Sequence, residues 1–318
     1  MKHPLAILLA AIALPASATP ARVFPVADHP VLEDRMPNPP VHFAHGVEAW
    51  RDVVYQQLPG YRPQILDIYR PATPGPHPLV LYIHGGGWIA GHTRHSGAFA
   101  DFPDVLAALA AEGFTVASLE YRLSGEARFP AQLQDVHAAL RFLVAHAARY
   151  RLDPSRIALW GGSAGGHLAA LAALTCRNTA LDPAAAHDPC ARAAAIWYGV
   201  FDFKGMAATD AGNEAGRKLL GCADACPDDR IAAVSPASYI GPDAPAFLLI
   251  HGEDDHTVPA AQSHAAQAAL KVAGDRVRAI YIPGVDHSFV GKTPQATRAA
   301  SLLAVNATFD FFHEELKK

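Results

Sequence analysis

A single serine, Ser163, stands between two pairs of small residues in the stretch Gly161-Gly162-Ser163-Ala164-Gly165. The stretch fits the pattern G-x-S-x-G, in which a serine on a sharp turn between a strand and a helix exposes its hydroxyl as a nucleophile. An apolar run precedes Ser163 and an alanine-rich amphipathic run follows it, so the required strand and helix patterns are present. We therefore predict that Ser163 is a nucleophile and that the N–H of Ala164, at the helix start, lies beside the reacting centre.

A second glycine-rich stretch, YIHGGGW, runs from Tyr82 to Trp88 after another apolar run. Three consecutive glycines can bend so that backbone N–H groups face one point. Those of Gly86 and Gly87, with that of Ala164, could hold the negative oxygen of a tetrahedral intermediate. A phosphate-binding loop is the alternative, but no Gly-Lys-Ser/Thr follows and the G-x-G-x-x-G spacing is missing. We expect an oxyanion hole at this loop.

The serine hydroxyl needs a base, and the base needs an orienting carboxylate. The chain has 17 histidines, so the base has to be identified by its position relative to the predicted strands. His287 follows the apolar run VRAIYI, and the acids Glu253, Asp254 and Asp255 follow the apolar run AFLLIHG. If both runs are parallel strands, these side chains leave the carboxyl ends of the strands, where reactive groups lie in such sheets.

Strand and helix patterns alternate through most of the chain. Strand patterns include LVLYI, FTVASLEY, RIALW, AAAIWYG, AFLLIHG and VRAIYI, separated by amphipathic runs such as AQLQDVHAALRFLVAHAARY. This alternation predicts an α/β fold with a mostly parallel central sheet and helices on both faces. Because no repeat or linker divides the series, we predict one catalytic domain over residues 46–318.

The chain resembles the α/β-hydrolases of the esterase and lipase type, close to the hormone-sensitive-lipase-like and bacterial feruloyl-esterase-like (BD-FAE-like) groups. The matching segments, from about Leu66 to His287, are YIHGGGW, EYRLSGEARFPAQLQDVHAALRFL, DPSRIALWGGSAGGHLAAL, SPASYI, HGEDDHTVP and GVDHSF. The resemblance implies the α/β-hydrolase fold and serine-based acyl transfer. The chain order of serine, acid and histidine is also that of this class. The implied nucleophile is Ser163 and the implied base is His287.

The resemblance also selects one acid from the three neighbours. The family pattern has His-Gly, two variable residues, aspartate, two variable residues and then Val-Pro. Laid on HGEDDHTVP, it places the triad acid at Asp255, with Val258 and Pro259 fixing the register. Asp254 then falls on a variable position. The implied oxyanion donors are those already named, Gly86, Gly87 and Ala164.

These motifs predict an enzyme that hydrolyses small-molecule carboxylic esters through an acyl-enzyme, with no metal or organic cofactor. The nearest alternative is amide cleavage, as by formamidases and peptidases of this fold. A binding protein with the same fold and no chemistry is a third, but such a protein usually lacks a triad residue or an oxyanion glycine. Four aromatic residues are candidates for the substrate pocket, although aromatics near a sheet are more often core: Trp88, Trp197, Tyr198 and Phe201.

The first 18 residues, MKHPLAILLAAIALPASA, have a basic start, a short apolar core and a small-residue ending. They fit a secretory signal peptide, residues 1–18, followed by a proline-rich arm over residues 19–45. The apolar run is too short to span a bilayer comfortably, so we expect export without stable membrane insertion. The net charge of −4 and the absence of a basic stripe argue against a nucleic-acid partner.

The chain has four cysteines, all between positions 176 and 226. An even number in an exported protein indicates disulfides. Three pairings are formally possible, and proximity favours Cys176 with Cys190 and Cys222 with Cys226. A metal site is the alternative, but no cysteine or histidine pair of standard zinc spacing accompanies CADAC, so we expect no metal.

Overall fold

The computed structural model of this chain describes residues 39–206 and 210–317. The proposed signal peptide, residues 1–18, and most of the proposed arm, residues 19–45, lie outside the described residues. Within the described ranges the strands are β1 (Val41–His42), β2 (Glu48–Gln56), β3 (Gln64–Arg70), β4 (His77–Ile83), β5 (Thr115–Leu119), β6 (Leu152–Gly162), β7 (Ala193–Trp197), β8 (Ala246–Gly252) and β9 (Val277–Ile282).

The strands form one sheet in the order β1-β2-β3-β5-β4-β6-β7-β8-β9. The neighbours from β1 through β3 to β5 are antiparallel, and every pair from β5 to β9 is parallel. The expected mostly parallel sheet is therefore confirmed. Strand β1 lies inside the range that the sequence assigns to the arm, so the sheet begins a few residues before position 46.

Helices cover both faces of the sheet. The described helices are α1 (Phe102–Ala111), α2 (Ala131–Ala145), α3 (Ala147–Tyr150), α4 (Ala164–Leu174), α5 (Phe203–Met206), α6 (Asp210–Leu220), α7 (Asp228–Val234), α8 (Ala261–Ala273) and α9 (Pro294–Leu316). Helices α2, α4 and α8 pack into one core cluster, and α1 and α9 pack into the other. The two clusters lie on opposite faces of the sheet, because side chains alternate along each strand.

Strand β4 shows why its apolar run has no polar face. Leu79, Leu81 and Ile83 belong to the cluster with α2, α4 and α8, whereas Val80 and Tyr82 belong to the cluster with α1 and α9. A parallel strand with helices on both faces must be apolar at successive positions. Its buried carboxyl end leads directly into the glycine loop.

The segment between β7 and β8 departs from the simple alternation, since it contributes three helices, α5, α6 and α7, that the periodicity does not predict. A disulfide between Cys222 and Cys226 joins the end of α6 to the approach to α7. A second disulfide, Cys176–Cys190, closes the connection between α4 and β7. Both pairs are those that sequence proximity favours. Among the described residues, no helix has the length and apolar character needed to cross a bilayer.

Candidate active site

Ser163 lies at the turn between β6 and α4, with backbone angles of φ 56° and ψ −122°. This left-handed φ is unfavourable for a residue with a side chain, and it turns the hydroxyl away from the sheet. The tight turn requires glycine at position 165, because a Cβ there would collide with the carbonyl oxygens of Ile83 and His84. The Ser163 N–H donates to the Trp197 carbonyl oxygen at 2.9 Å, which holds the turn against β7.

Three predicted side chains meet in a hydrogen-bonded line. The Nε2 atom of His287 is 3.0 Å from Ser163 Oγ, and its Nδ1 atom is 2.8 Å from Asp255 Oδ2. Asp255 follows β8 and His287 follows β9. The ends of parallel strands therefore bring Ser163 and His287 together, although these two residues are 124 positions apart in the sequence. The geometry has a nucleophile within reach of a base and a base held by a carboxylate.

Asp255 is held by donors on both carboxylate oxygens. Its Oδ1 accepts the backbone N–H groups of Thr257 at 2.9 Å and Val258 at 2.8 Å. Burial alone would raise the pKa of this carboxyl, but hydrogen bonds from His251 and His287 outweigh it and hold the pKa well below its usual range. The side chain is therefore an anion throughout the physiological pH range.

The two acids before Asp255 point elsewhere. Glu253 approaches His264 at 3.3 Å, and Asp254, with a side chain 45% exposed, lies 4.0 Å from Lys292. The Asp254 N–H donates to the Val285 carbonyl oxygen at 3.0 Å. Asp255 is thus the member of this loop that reaches His287.

The glycine loop after β4 curls beside Ser163. Gly86 and Gly87 have φ values of 112° and 59°, and the Gly86 carbonyl oxygen accepts the N–H of Ala90 at 3.1 Å. A Cβ at Gly86 would collide with the Ala90 carbonyl, so the curl requires glycine. Ala164 begins α4, where N–H groups have no partner within the helix. Gly86, Gly87, Ala164 and Ser163 border one cavity, as an oxyanion hole built from the predicted donors requires.

The cavity beside Ser163 has a volume of about 770 Å³. Trp88 and Tyr198 form part of its wall, and Tyr198 packs against His287 with the ring centroids 4.7 Å apart. Further wall residues, not assigned to the pocket from the sequence, are mostly apolar, with three polar side chains among them: Ile89, His95, Ser96, Phe99, Val200, Met206, Ala215, Val258 and Ser288. A cavity of this size and mostly apolar lining suits a small organic ligand.

Two of the aromatic candidates are core residues rather than pocket residues. Trp197 is fully buried on the α9 side of the sheet, where its Nε1–H donates to Thr308 Oγ1 at 2.9 Å. Phe201 is also buried and packs in the cluster with α2, α4 and α8. Only Trp88 and Tyr198 of the four therefore line the cavity. The adjacent Trp197 and Tyr198 both pack on Phe289, but Tyr198, which has φ 37° and follows the end of β7, also borders the cavity.

Two buried histidines flank the glycine motifs without touching Ser163 Oγ. The Nδ1 atom of His84 lies 2.7 Å from the Gly85 carbonyl oxygen, and His167 bridges Trp88 Nε1 at 3.2 Å and the Val234 carbonyl oxygen at 2.7 Å. Burial lowers the pKa of both imidazoles to about 4. His84 and His167 thus support the loops around the site as neutral rings.

These two pKa shifts predict a pH-dependent stability. An unfolded histidine titrates near pH 6.5, so between about pH 6.5 and 4 the unfolded chain binds protons that the folded chain does not. The free energy of unfolding should be fully retained above pH 6.5 and fall as the pH drops towards 4, by on the order of 3 kcal/mol per histidine. Urea unfolding of wild type and His167→Gln at pH 7 and pH 5 measures this. The variant should show the smaller loss.

The exposed His187 provides the control for this measurement. His187→Gln should reproduce the wild-type difference between pH 7 and pH 5. If His167→Gln also reproduces it, buried neutral histidine is not the origin of the acid sensitivity.

One group of described residues has spacing suitable for a metal ion, namely His137, Asp182 and Asp188. The Nη1 atom of Arg141 already pairs with both carboxylates, at 3.0 Å from Asp182 and 2.7 Å from Asp188. The guanidinium supplies the positive charge that two buried carboxylates need, so the cluster is explained as an ion-pair network between α2 and the loop before β7.

The strand order, the serine turn after β6, the acid after β8 and the histidine after β9 together define the α/β-hydrolase fold class. The chain belongs to the BD-FAE family, whose model matches residues 66–270. The resemblance seen in the motifs is therefore confirmed over most of the catalytic domain.

Individual relatives agree with this family. The chain is 34% identical over 265 residues to "Esterase LipQ" of Mycobacterium tuberculosis, covering 80% of this chain and 60% of that protein. It is 33% identical over 223 residues to "Probable carboxylic ester hydrolase LipM" of the same organism, covering 68% of this chain and 50% of that protein. The chain thus spans 60% and 50% of the lengths of these two relatives.

A solved structure of similar length extends the comparison. A truncated form of a carbohydrate esterase from gut microbiota is 29% identical, with a TM-score of 0.71, and the match covers 85% of this chain and 96% of that one. Esterase Est2 of Thermogutta terrifontis, solved with propionate bound, is 26% identical with a TM-score of 0.67, covering 82% and 92% of the two chains. The fold is therefore that of known esterases.

Proposed function

We propose that this protein is a carboxylic ester hydrolase that works through an acyl-enzyme on Ser163, with His287 as base and Asp255 as triad acid. The observation that carries the proposal is the unbroken line from Asp255 Oδ2 through His287 to Ser163 Oγ, with gaps of 2.8 and 3.0 Å. It ends at a cavity bordered by the glycine loop. The esterase names of the relatives support ester chemistry.

The proposed reaction has two halves. Ser163 Oγ attacks the ester carbonyl carbon while His287 Nε2 accepts the hydroxyl proton, and the N–H groups of Gly86, Gly87 and Ala164 receive the oxyanion. The C–O bond to the alcohol then breaks as His287 returns the proton to the leaving oxygen. Water, deprotonated by the same nitrogen, attacks the acyl-enzyme and releases the acid. The residues of the chain perform each of these steps, and the proposal includes no cofactor.

A matched pair of substrates tests ester against amide chemistry. We expect p-nitrophenyl acetate to be hydrolysed with a kcat/KM on the order of 10²-fold or more above that of p-nitroacetanilide, because p-nitrophenolate leaves without full protonation, whereas the anilide nitrogen must receive a proton from His287 as the C–N bond breaks. Equal or greater amide hydrolysis would replace the proposal with an amidase. Failure to hydrolyse either substrate, together with no labelling by a fluorophosphonate, would favour the non-catalytic binding protein.

We also propose that residues 1–18 are a signal peptide, that residues 19–45 form an arm, and that the protein acts outside the cytoplasm as a single catalytic domain. The two disulfides support an oxidising compartment. Mass spectrometry of the protein recovered from its native cells tests the proposal. A retained Met1 or four free thiols would contradict it.

A further inference from the structure

A second histidine contacts the proposed triad acid. His251, in β8, has a fully buried side chain, and its Nε2 atom lies 3.2 Å from Asp255 Oδ2. This is the same carboxylate oxygen that His287 Nδ1 approaches at 2.8 Å. Asp255 thus lies between two imidazoles, of which only His287 reaches Ser163.

The surroundings of His251 determine which nitrogen bears its proton. Nε2 lies 2.8 Å from the Val258 carbonyl oxygen, which can only accept a hydrogen bond, so Nε2 must carry hydrogen. Nδ1 lies 2.7 Å from the hydroxyl of Ser263 in α8, and Ser263 is also fully buried. In a neutral ring with hydrogen on Nε2, Nδ1 accepts the hydroxyl proton of Ser263.

This tautomer completes the set of donors around Asp255. Oδ1 accepts from the backbone N–H groups of Thr257 and Val258, and Oδ2 accepts from His287. The Nε2–H of His251 is shared between the Val258 carbonyl oxygen at 2.8 Å and Oδ2 at 3.2 Å. The opposite tautomer of His251 would aim a lone pair at two oxygens, the Asp255 carboxylate and the Val258 carbonyl. Such an arrangement would be repulsive at a site buried from solvent.

Resting on the triad of the proposed function, we propose that His251 and Ser263 are positioning residues: the Ser263 hydroxyl, by donating to Nδ1, holds the His251 ring in place, and the Nε2–H of that ring then orients Asp255 towards His287. The second donor also shares the negative charge of Oδ2. Without this donor, Asp255 stabilises the protonated form of His287 more strongly. A higher pH is then needed before His287 can act as a base.

Among the described residues, few charged or titratable groups lie near the line formed by Asp255, His287 and Ser163. Asp286 accepts the backbone N–H of His287 and pairs with the exposed His256, and the Tyr198 ring packs against the His287 ring. The other groups in contact are those of the line itself, Asp255 and His251. None of the proposed substitutions touches Asp286, His256 or Tyr198, so a change in the pH profile reports on Asp255.

The experiment compares Ser263→Ala, His251→Leu and His251→Gln by kcat, KM and pH profile with p-nitrophenyl acetate. Gln can keep an N–H near the position of Nε2, whereas Leu cannot. We expect Ser263→Ala and His251→Leu to lower kcat about tenfold with KM within about twofold, and to move the acid limb of the kcat/KM profile to higher pH. His251→Gln should lie between His251→Leu and wild type.

The matched control is Ser301→Ala in α9, since Ser301 is a buried serine whose hydroxyl has no hydrogen-bond partner among the described residues. Its kcat and pH profile should equal those of wild type. If Ser263→Ala keeps wild-type kcat, or loses activity with an unmoved acid limb, the positioning role is wrong. Should His251→Leu fail to fold, Ser263→Ala alone decides.

A readout that does not need activity separates this inference from the proposed function. In protein labelled with ¹⁵N-histidine, His251 should show a protonated Nε2 and an unprotonated, hydrogen-bonded Nδ1, and Ser263→Ala should change the Nδ1 shift. Hydrogen found on both nitrogens of His251 would overturn the tautomer argument. A wild-type protein with the expected His251 shifts but no ester hydrolysis would instead refute the proposed function.

Discussion

Replacing Ser163 with alanine is expected to reduce kcat for ester hydrolysis on the order of 10³-fold or more. The hydroxyl is the proposed covalent reactant, and no other oxygen on the protein occupies its place 3.0 Å from His287 Nε2 among the described residues. The strained turn at Ser163 depends on neighbouring glycines rather than on the hydroxyl, so the variant should fold. Steady-state assays with p-nitrophenyl acetate and circular dichroism measure both effects.

Covalent labelling adds a direct observation to this test. Wild type should gain the mass of one fluorophosphonate adduct on the peptide that contains Ser163, and Ser163→Ala should gain none. Ser301→Ala, which removes a buried hydroxyl that does not line the cavity, should label as wild type does. Turnover by purified Ser163→Ala within about tenfold of wild type would refute the nucleophile assignment.

Replacing Asp255 with asparagine is expected to lower kcat roughly 10²-fold to 10⁴-fold. The amide oxygen must take the position of Oδ1, because the two backbone N–H groups of Thr257 and Val258 cannot turn away. The amide NH₂ then faces His287 Nδ1. That nitrogen has to become an acceptor, so Nε2 carries the proton and cannot receive the one from Ser163.

Asp254→Asn is the matched control, since it makes the same chemical change one residue away. The Asp254 side chain is 45% exposed and 4.0 Å from Lys292, and it contributes no contact to His287 in the described structure. Its kcat should change by no more than about tenfold. If Asp254→Asn, and not Asp255→Asn, has the strongly reduced kcat, the register predicted for the acid loop is wrong. If both variants keep their activity, the triad acid lies elsewhere.

The sequence predicts the parallel sheet and the meeting of Ser163, Asp255 and His287 because both depend on local signals. Apolar runs mark the strands, and each of the three residues lies in the turn or loop that follows one of them. Parallel strands put such positions on one edge of the sheet, so the convergence follows from the topology. The choice of Asp255 over Asp254 came from the family pattern, and the structure gives the physical reason in the two N–H groups that receive Oδ1.

The pocket wall could not be predicted from such signals. Trp197 and Tyr198 are aromatic neighbours in the same core cluster, and nothing in their residue types indicates that Tyr198 alone also borders the cavity. Helices α5 and α7 have 4 and 7 residues, lengths at which helices depend on tertiary contacts rather than on their own periodicity. Met206 and Ala215, which border the cavity, lie in or beside this insertion and show no signal of their own.

The origin of the wall has a consequence for design. The groups proposed for bond cleavage lie at the ends of strands, whereas Met206 and Ala215 come from the insertion between β7 and β8. Substitutions in that segment are therefore expected to change the shape of the cavity while Ser163, Asp255 and His287 keep their positions. The segment is thus the part of the chain in which a designed library would alter ligand selection with the least effect on the proposed triad.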